Sequence, residues 1–217
     1  MHGNGRLEAV WTLVPALILV VLAAYSQQSW SVIKTPPPIP KAAQIKSGEQ
    51  VLLEVVGMQF KWYFHYPGAD GVLGPLNHAK IDANSQEIAA KIGLDRSQPA
   101  AKDDFCTDAM HVPVGRKVVF RLSSVDVLHS FWVPNLYFKQ DAVPGLAKLM
   151  WLEPTRTSAE LVGTWAGGDP KPFDIVCAEL CGQGHYTMRG QLYVVAPPQY
   201  EHWYRQQVKE RAEEEAY

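Results

Sequence analysis

Hydrophobic residues form one continuous run near the start of the chain and many short runs after it. The run from Ala9 to Tyr25 holds 17 residues without a charge, and the uncharged stretch continues to Ile33. At 1.5 Å per residue, a helix of this length can cross a hydrocarbon core of about 30 Å. Trp11 and Trp30 would lie roughly 28 Å apart along it, at the two interfaces. Residues 1–34 are therefore predicted to form a transmembrane helix in a lipid bilayer.

A cleaved signal peptide is the alternative interpretation of this run. Its basic region would be weak, because only His2 and Arg6 carry positive character before the apolar residues and Glu8 adjoins them. We therefore expect a retained anchor. The sequence TPPPIP opens a Pro-rich linker at 35–49, which favours a stiff polyproline conformation.

Short apolar runs bounded by turn residues occupy 50–197 and predict strands. This pattern indicates an all-β fold, a Greek-key β-sandwich or barrel. The segment 68–104 is polar and is predicted to be an inserted loop, and 198–217 a C-terminal helix and tail. One or two strands are expected in Gln50–Tyr66 and a short helical patch near Ser85–Ile92. Further strands are expected at Met110–Val114, Lys117–Ser123, His129–Val133, Ala147–Leu152, Ala159–Trp165, Phe173–Ala178 and Gln191–Val195.

The composition of the chain restricts its possible functions more than its possible folds. A 47% apolar fraction allows a real core, and a net charge of -2 supplies no field to attract nucleic acid. Three cysteines make a poor disulfide framework. Two of them, Cys177 and Cys181, lie four residues apart, which favours metal binding, whereas Cys106 is expected to be a free or structural thiol.

The stretch Cys177-Ala-Glu-Leu-Cys181-Gly-Gln-Gly-His185-Tyr-Thr-Met188 carries the chemistry. Two thiolates, an imidazole and a thioether are soft ligands that select copper, zinc or iron–sulfur, and a weak Met ligand is typical of copper electron-transfer sites. A helix with these side chains on one face is the alternative. Gly182 and Gly184 would weaken such a helix by about 2 kcal/mol, so we expect a loop between strands.

Two cysteines suit a dinuclear centre in which both sulfurs bridge, with one histidine for each metal ion. His185 supplies one imidazole. His129 is the favoured second ligand, because it stands in an apolar strand where an unpaired histidine is out of place. The other five histidines are expected to be exposed: His2, His65, His78, His111 and His202.

Four segments of the chain resemble subunit II of the haem–copper cytochrome c oxidases, whose dinuclear copper centre, CuA, lies on a cupredoxin fold outside the membrane. They are Leu7–Pro15, Gly57–Tyr66, Val127–Pro134 together with Lys139–Gly145, and Cys177–Met188. The resemblance implies that electrons from cytochrome c, or a c-type cytochrome domain, pass through CuA to haem in subunit I. Oxygen is reduced to water there, with coupled proton translocation. It also implies other oxidase subunits as partners and a copper domain on the periplasmic side of a bacterial inner membrane, in preference to the mitochondrial inner membrane.

The resemblance also implies roles for individual residues. Cys177 and Cys181 would bridge the coppers, and His129 and His185 would each bind one. Met188 and the backbone carbonyl of Glu179 would be further ligands. In that family this Glu side chain reaches a magnesium ion shared with subunit I, and Glu8 matches a carboxylate near a proton path, although an interfacial charge is the simpler interpretation of Glu8.

This sequence departs from the family pattern at several places. Phe60 stands where the family has the Trp that accepts electrons, so Trp62 or Tyr63 would have to serve instead, or the donor would dock differently. Leu146 replaces an Arg. The family usually has two membrane helices, and this sequence contains one, the first being either lost or outside it. If a basic cytochrome is steered by acidic residues, the candidates are Asp104, Asp126, Asp141 and Asp174.

Three other functions fit parts of the pattern. A membrane-tethered copper carrier or assembly factor would exchange its copper readily with a chelator. A nitrous oxide reductase would need a large propeller domain, for which 217 residues leave no room. The quinol-oxidase relatives of subunit II lack the copper ligands that are present here.

Overall fold

The computed structural model describes residues 3–215. His2 and the outer ends of the predicted segments 1–34 and 198–217 lie outside this range. The chain divides into two compact units, one ending at Pro37 and one beginning at Pro38.

The first unit is a single helix, α1 (Gly5–Lys34). The Asn4 side chain caps it by accepting hydrogen bonds from the backbone N–H groups of Arg6 and Leu7. Its apolar side chains are exposed along the whole length, and its most apolar 18-residue window has a mean hydropathy of 2.3. Within residues 3–215, it is the one helix long and apolar enough to cross a membrane.

The second unit is a β-sandwich of two five-stranded sheets. The strands are β1 (Gln50–Met58), β2 (Lys61–Tyr66), β3 (Phe105–Thr107), β4 (Ala109–Pro113), β5 (Lys117–Ser124), β6 (His129–Val133), β7 (Phe138–Ala142), β8 (Lys148–Leu152), β9 (Phe173–Cys177) and β10 (Arg189–Val195). One sheet has the order β3-β2-β1-β5-β8 and the other β4-β10-β9-β6-β7. Neighbouring strands are antiparallel except β1–β5 and β4–β10. The chain crosses repeatedly between the sheets, so the predicted all-β Greek-key sandwich is confirmed.

The core lies between the two sheets and follows the alternation of each strand. Leu53 and Val55 on β1 meet Phe131 on β6 and Ile175 on β9, and all four are fully buried. The opposite face of β1 is also buried, because the segment before β3 covers it.

The polar segment 68–104 is an ordered cover rather than an extended loop. It contains a short helix, α3 (Ile88–Ile92), and two 3-10 turns, His78–Lys80 and Pro99–Ala101. Ala89, Ile92 and Leu94 pack against Val56 and Tyr63 on the outer face of the first sheet. The Pro-rich linker likewise contains one helix, α2 (Ala42–Lys46).

The prediction of a strand at Ala159–Trp165 is wrong, because this region contains a helix, α4 (Ser158–Val162). A capping box explains the helix: Thr157 Oγ1 accepts from the Glu160 N–H, and the Glu160 carboxylate accepts from the Thr157 N–H. Strands β3 and β7 were not among the predicted ones.

The chain ends in a long helix, α5 (Pro197–Glu215). It packs on the sandwich through an aromatic cluster, in which Trp203 and Tyr204 contact Phe105. The Tyr204 hydroxyl also donates to the carbonyl of Gly68 at 3.2 Å. The helix therefore holds the start of the 68–104 segment as well as the sheet.

Candidate metal centre

The cysteine-rich stretch forms a loop between β9 and β10, as expected, and not a helix. Its two ends are joined because the N–H of Cys177 donates to the carbonyl of Met188 at 3.1 Å. The N–H of Ala178 donates to the carbonyl of Ser130 at 2.9 Å, which ties the loop to β6. A 3-10 turn at His185–Thr187 then returns the chain to β10.

The candidate donor atoms surround a pair of sulfurs. Sγ of Cys177 lies 3.8 Å from Sγ of Cys181. The Cys177 sulfur also lies 3.9 Å from Nδ1 of His129 and 3.1 Å from the carbonyl oxygen of Glu179. His129, Cys177 and Cys181 offer donor atoms that all lie within 4.8 Å of one another.

The second sulfur has its own two neighbours. Sγ of Cys181 lies 3.5 Å from Nδ1 of His185 and 3.8 Å from Sδ of Met188. Each cysteine sulfur therefore has one imidazole and one weaker donor beside it. The sequence-predicted ligands are brought together as two matching groups.

Most of these side chains are shielded from solvent. His129 is fully buried, and Cys177, Cys181 and Met188 are buried. Burial and the neighbouring Cys177 thiol raise the pKa of Cys181 to about 11. A bound cation reverses this balance, because it stabilises thiolates directly. His185 is half-buried, and the Glu179 side chain is exposed.

Asp126 fixes the orientation of His129. Its Oδ1 lies 2.8 Å from Nε2 of the imidazole, so the other ring nitrogen, Nδ1, faces the sulfurs. The other carboxylate oxygen accepts from the backbone N–H of Gln59 at 2.6 Å. Hydrogen bonds of this kind set the tautomer and basicity of metal-binding histidines.

The β1–β2 turn covers the loop. The Gln59 side-chain amide donates to the carbonyl of Cys181 at 2.6 Å. The Phe60 ring lies against two loop glycines: a Cβ at Gly184 would come within 2.3 Å of the ring, and one at Gly182 within 3.2 Å. Gly182 also has φ +132°, a backbone conformation that favours glycine.

The other two aromatic candidates lie on opposite faces of β2. Trp62 is buried beside the centre, with its ring centroid 5.9 Å from that of His129 in an edge-on arrangement. Tyr63 packs instead with Val56 and Ile92 on the outer face of the sheet. The structure thus places Phe60 and Trp62 next to the candidate ligands and Tyr63 away from them.

Several sequence expectations outside the loop need correction. His65 is completely buried, not exposed: its Nε2 lies 2.6 Å from Asp104 and its Nδ1 lies 3.2 Å from Glu54. The His111 ring is stacked between Tyr193 and Trp203. Asp104 is fully buried and therefore cannot steer a docking partner.

The remaining candidates lie apart from the donor cluster. Cys106 is a free thiol on β3, and burial raises its pKa. Glu8 lies in the first turn of α1 and is exposed. Sequence reasoning did not assign roles to Asp126 as a hydrogen-bond partner or to Gln59. The Asp126-x-x-His129 spacing is the one local signal that would have indicated the first.

Comparison with known families identifies the family of this chain. Residues 51–195 match the family model described as cytochrome C oxidase subunit II, periplasmic domain. The chain belongs to the cytochrome c oxidase subunit II family. Residues 1–28 match the transmembrane domain of the same family. The chain is therefore a membrane protein with the family's periplasmic domain, and the predicted resemblance is confirmed.

The curated relatives are longer than the part of each that this chain matches. The alternative cytochrome c oxidase subunit 2 of Bradyrhizobium diazoefficiens is 39% identical over 157 residues, which are 71% of this chain and 50% of the relative. The cytochrome c oxidase subunit 2 of Alkalihalophilus pseudofirmus is 31% identical over 94% of this chain and 45% of its own length. The chain thus spans about half the length of these two curated relatives.

One similar solved structure is the periplasmic domain of subunit II of cytochrome oxidase from Bradyrhizobium japonicum. It is 21% identical, with a TM-score of 0.48, and the alignment covers 79% of this chain and 98% of that one.

Proposed function

We propose that this chain is the electron-accepting subunit of a terminal cytochrome c oxidase and holds a dinuclear CuA centre. The observation that carries this proposal is the division of the donors into two groups around two sulfurs 3.8 Å apart. A single metal ion would need only one of these two groups of donors. Two ions that share both thiolates would use both groups.

The donor set fits copper. His129 and the Glu179 carbonyl would hold one ion, His185 and Met188 the other, and Cys177 and Cys181 both. Thiolate, imidazole and thioether together favour copper over zinc, which has little use for a thioether. Bound there, the pair of coppers would supply a carrier for one electron at a time.

The protein's own residues prepare the site for this task. Asp126 holds the His129 ring with one nitrogen free for the metal. Gln59 anchors the backbone of the loop at Cys181. Phe60 and the buried sulfur side chains keep water away, and a dry, fixed site resists rearrangement when its charge changes.

Electron donors would reach the site through the exposed surface beside it. Leu180 and Tyr186 on the loop are 78% and 80% exposed, an apolar face suited to close contact with a cytochrome c or a c-type cytochrome domain. Phe60 is half-buried against the loop glycines, and Trp62 is buried beside His129. We propose Trp62 as the electron entry, because it is the more oxidisable of the two. Tyr63 is the least favourable of the three because it packs elsewhere.

The remaining assignments follow from membership of the family. Electrons would pass to haem in subunit I, where oxygen is reduced to water with proton translocation, in a complex with other oxidase subunits. The exposed Glu179 carboxylate is free to reach a magnesium ion shared with subunit I. Glu8 would serve a proton path. The membrane would be the bacterial inner membrane, with the copper domain in the periplasm.

Electron paramagnetic resonance of the purified chain loaded with copper tests the proposal. We expect two coppers per chain by metal analysis and a seven-line spectrum from one electron shared by both. Zinc, or one copper per fully loaded chain, would overturn it. Rapid loss of the metal to a chelator would instead favour the copper carrier.

A further inference from the structure

A cavity of about 500 Å³ lies between α2, the start of β1 and helix α5. It is separate from the metal centre: Gln50 lines it at one end of β1, whereas Gly57, against which His129 packs, stands about 23 Å along the same strand. The volume falls within the range of small-molecule sites. Nothing in the electron-transfer function uses this cavity.

The walls of the cavity combine an apolar interior with positive charge. Ile45, Leu52 and Val208 give aliphatic surface, and the rings of Tyr200 and Tyr204 add to it. Three cationic side chains and one acidic side chain also line it, which leaves a net charge of +2: Lys46, Arg116, Arg205 and Glu201.

Two buried polar atoms in this wall have no hydrogen-bond partner among residues 3–215. They are Nη1 of Arg116 and Oε1 of Gln50. Arg116 uses Nη2 to donate to Glu201 at 2.8 Å, so its guanidinium is half satisfied. Buried polar groups are normally hydrogen-bonded, so two unpaired ones on residues that line the same cavity, one a donor and one an acceptor, indicate a ligand that satisfies them.

We infer that this cavity binds a single-chain anionic phospholipid. The phosphate would accept from Arg116 Nη1 and neutralise the excess positive charge. A headgroup hydroxyl would donate to Gln50 Oε1. One acyl chain would lie along Leu52, Val208 and the tyrosine rings, in a space too small for both chains of an ordinary membrane lipid. The membrane helix α1 keeps the protein where such lipids are present.

Photolabelling of the full-length chain in phosphatidylcholine nanodiscs tests this inference. The probe is an oleoyl lysophosphatidic acid with a photoreactive group on its acyl chain. We expect labelled peptides from 45–52 and 200–208, in addition to peptides of α1, which meets lipid in any case. Unlabelled lysophosphatidic acid should compete at the cavity. Monooleoylglycerol, which lacks the phosphate, and glycerol 3-phosphate, which lacks the chain, should each compete at least about tenfold less well.

Two variants separate the cavity from general lipid contact. Val208→Trp fills the space and should abolish cavity labelling, and Arg116→Gln should weaken it by about tenfold. Lys209→Gln and Arg156→Gln are matched controls, since both side chains are exposed outside the cavity. The α1 label should not change in any variant. Label confined to α1, equal competition by monooleoylglycerol, or full competition by glycerol 3-phosphate would each overturn the inference, the last by showing a site for small anions alone.

Discussion

Asp126 and His129 form a hydrogen bond of 2.8 Å that turns Nδ1 of the imidazole toward the sulfur of Cys177. The same carboxylate also accepts a hydrogen bond from the backbone N–H of Gln59, which begins the turn over the cysteine-rich loop between β9 and β10. One side chain thus sets both the ligand orientation and the position of the cover.

Replacing Asp126 with alanine should therefore weaken the centre without removing it. We expect copper affinity to fall about 10- to 100-fold, as for other hydrogen-bond partners of metal-binding histidines. Competition with a chelator measures this affinity. Asp169→Asn, at an exposed site on a different loop, is the control and should leave it unchanged. An Asp126→Ala variant with wild-type affinity and an unaltered copper spectrum would show that the hydrogen bond does not position the ligand.

Cys177→Ser should abolish the dinuclear spectrum, because a serine oxygen is a poor bridge for soft copper. The measurement is electron paramagnetic resonance with copper quantified per chain. Cys106→Ser is the matched control, since this thiol lies on β3 outside the donor cluster. A seven-line spectrum that survives in Cys177→Ser would remove Cys177 from the site.

His65→Gln should destabilise the protein by about 3–5 kcal/mol, the usual effect of breaking a buried ion pair. Burial opposes protonation of His65, but hydrogen bonds to Asp104 and Glu54 outweigh it and raise the pKa of His65. The protonated ring therefore contributes its full stabilisation below the unfolded pKa of about 6.5. That contribution is lost as pH rises through the higher folded pKa.

Thermal unfolding measured from pH 6 to alkaline pH tests the prediction for His65. The difference between wild type and His65→Gln should be largest at pH 6 and should shrink at alkaline pH. His202→Gln, on the exposed face of α5, should behave as wild type. A difference that grows with pH would contradict a protonated ring in the folded protein.

Asp141 and Asp174 are the exposed acidic candidates for attracting a basic cytochrome, because Asp104 is buried and Asp126 is hydrogen-bonded to His129. We expect the Asp141→Asn/Asp174→Asn double variant to lower kcat/KM for a basic cytochrome c by roughly two- to fivefold at low salt. The wild-type rate should fall with ionic strength, and the variant's should fall less. A wild-type rate that does not depend on salt would indicate a tethered donor or purely apolar docking.

The cluster of candidate copper ligands could be expected from sequence because four of its side chains lie within twelve residues and the glycines between them disfavour a regular helix. The burial of His65 could not be predicted, because its partners Glu54 and Asp104 are 11 and 39 residues away and meet it only when the strands pair. Gln59 was missed for the same reason, being 67 residues from Asp126. A strand was predicted in place of helix α4 because its apolar residues were given more weight than the capping box that precedes them. Functional residues that lie close together in the sequence could therefore be predicted, whereas contacts between distant strands could not.

The close packing of Phe60 against Gly184 limits how this centre can be engineered into another protein. An ordinary side chain at position 184 would overlap the aromatic ring, so the glycine and the ring form one interlocking unit. Grafting Cys177–Met188 alone onto another sandwich protein would leave the graft without its lid. A successful recipient must also receive the Gln59–Phe60 hairpin tip, and library searches should vary positions 60, 182 and 184 jointly.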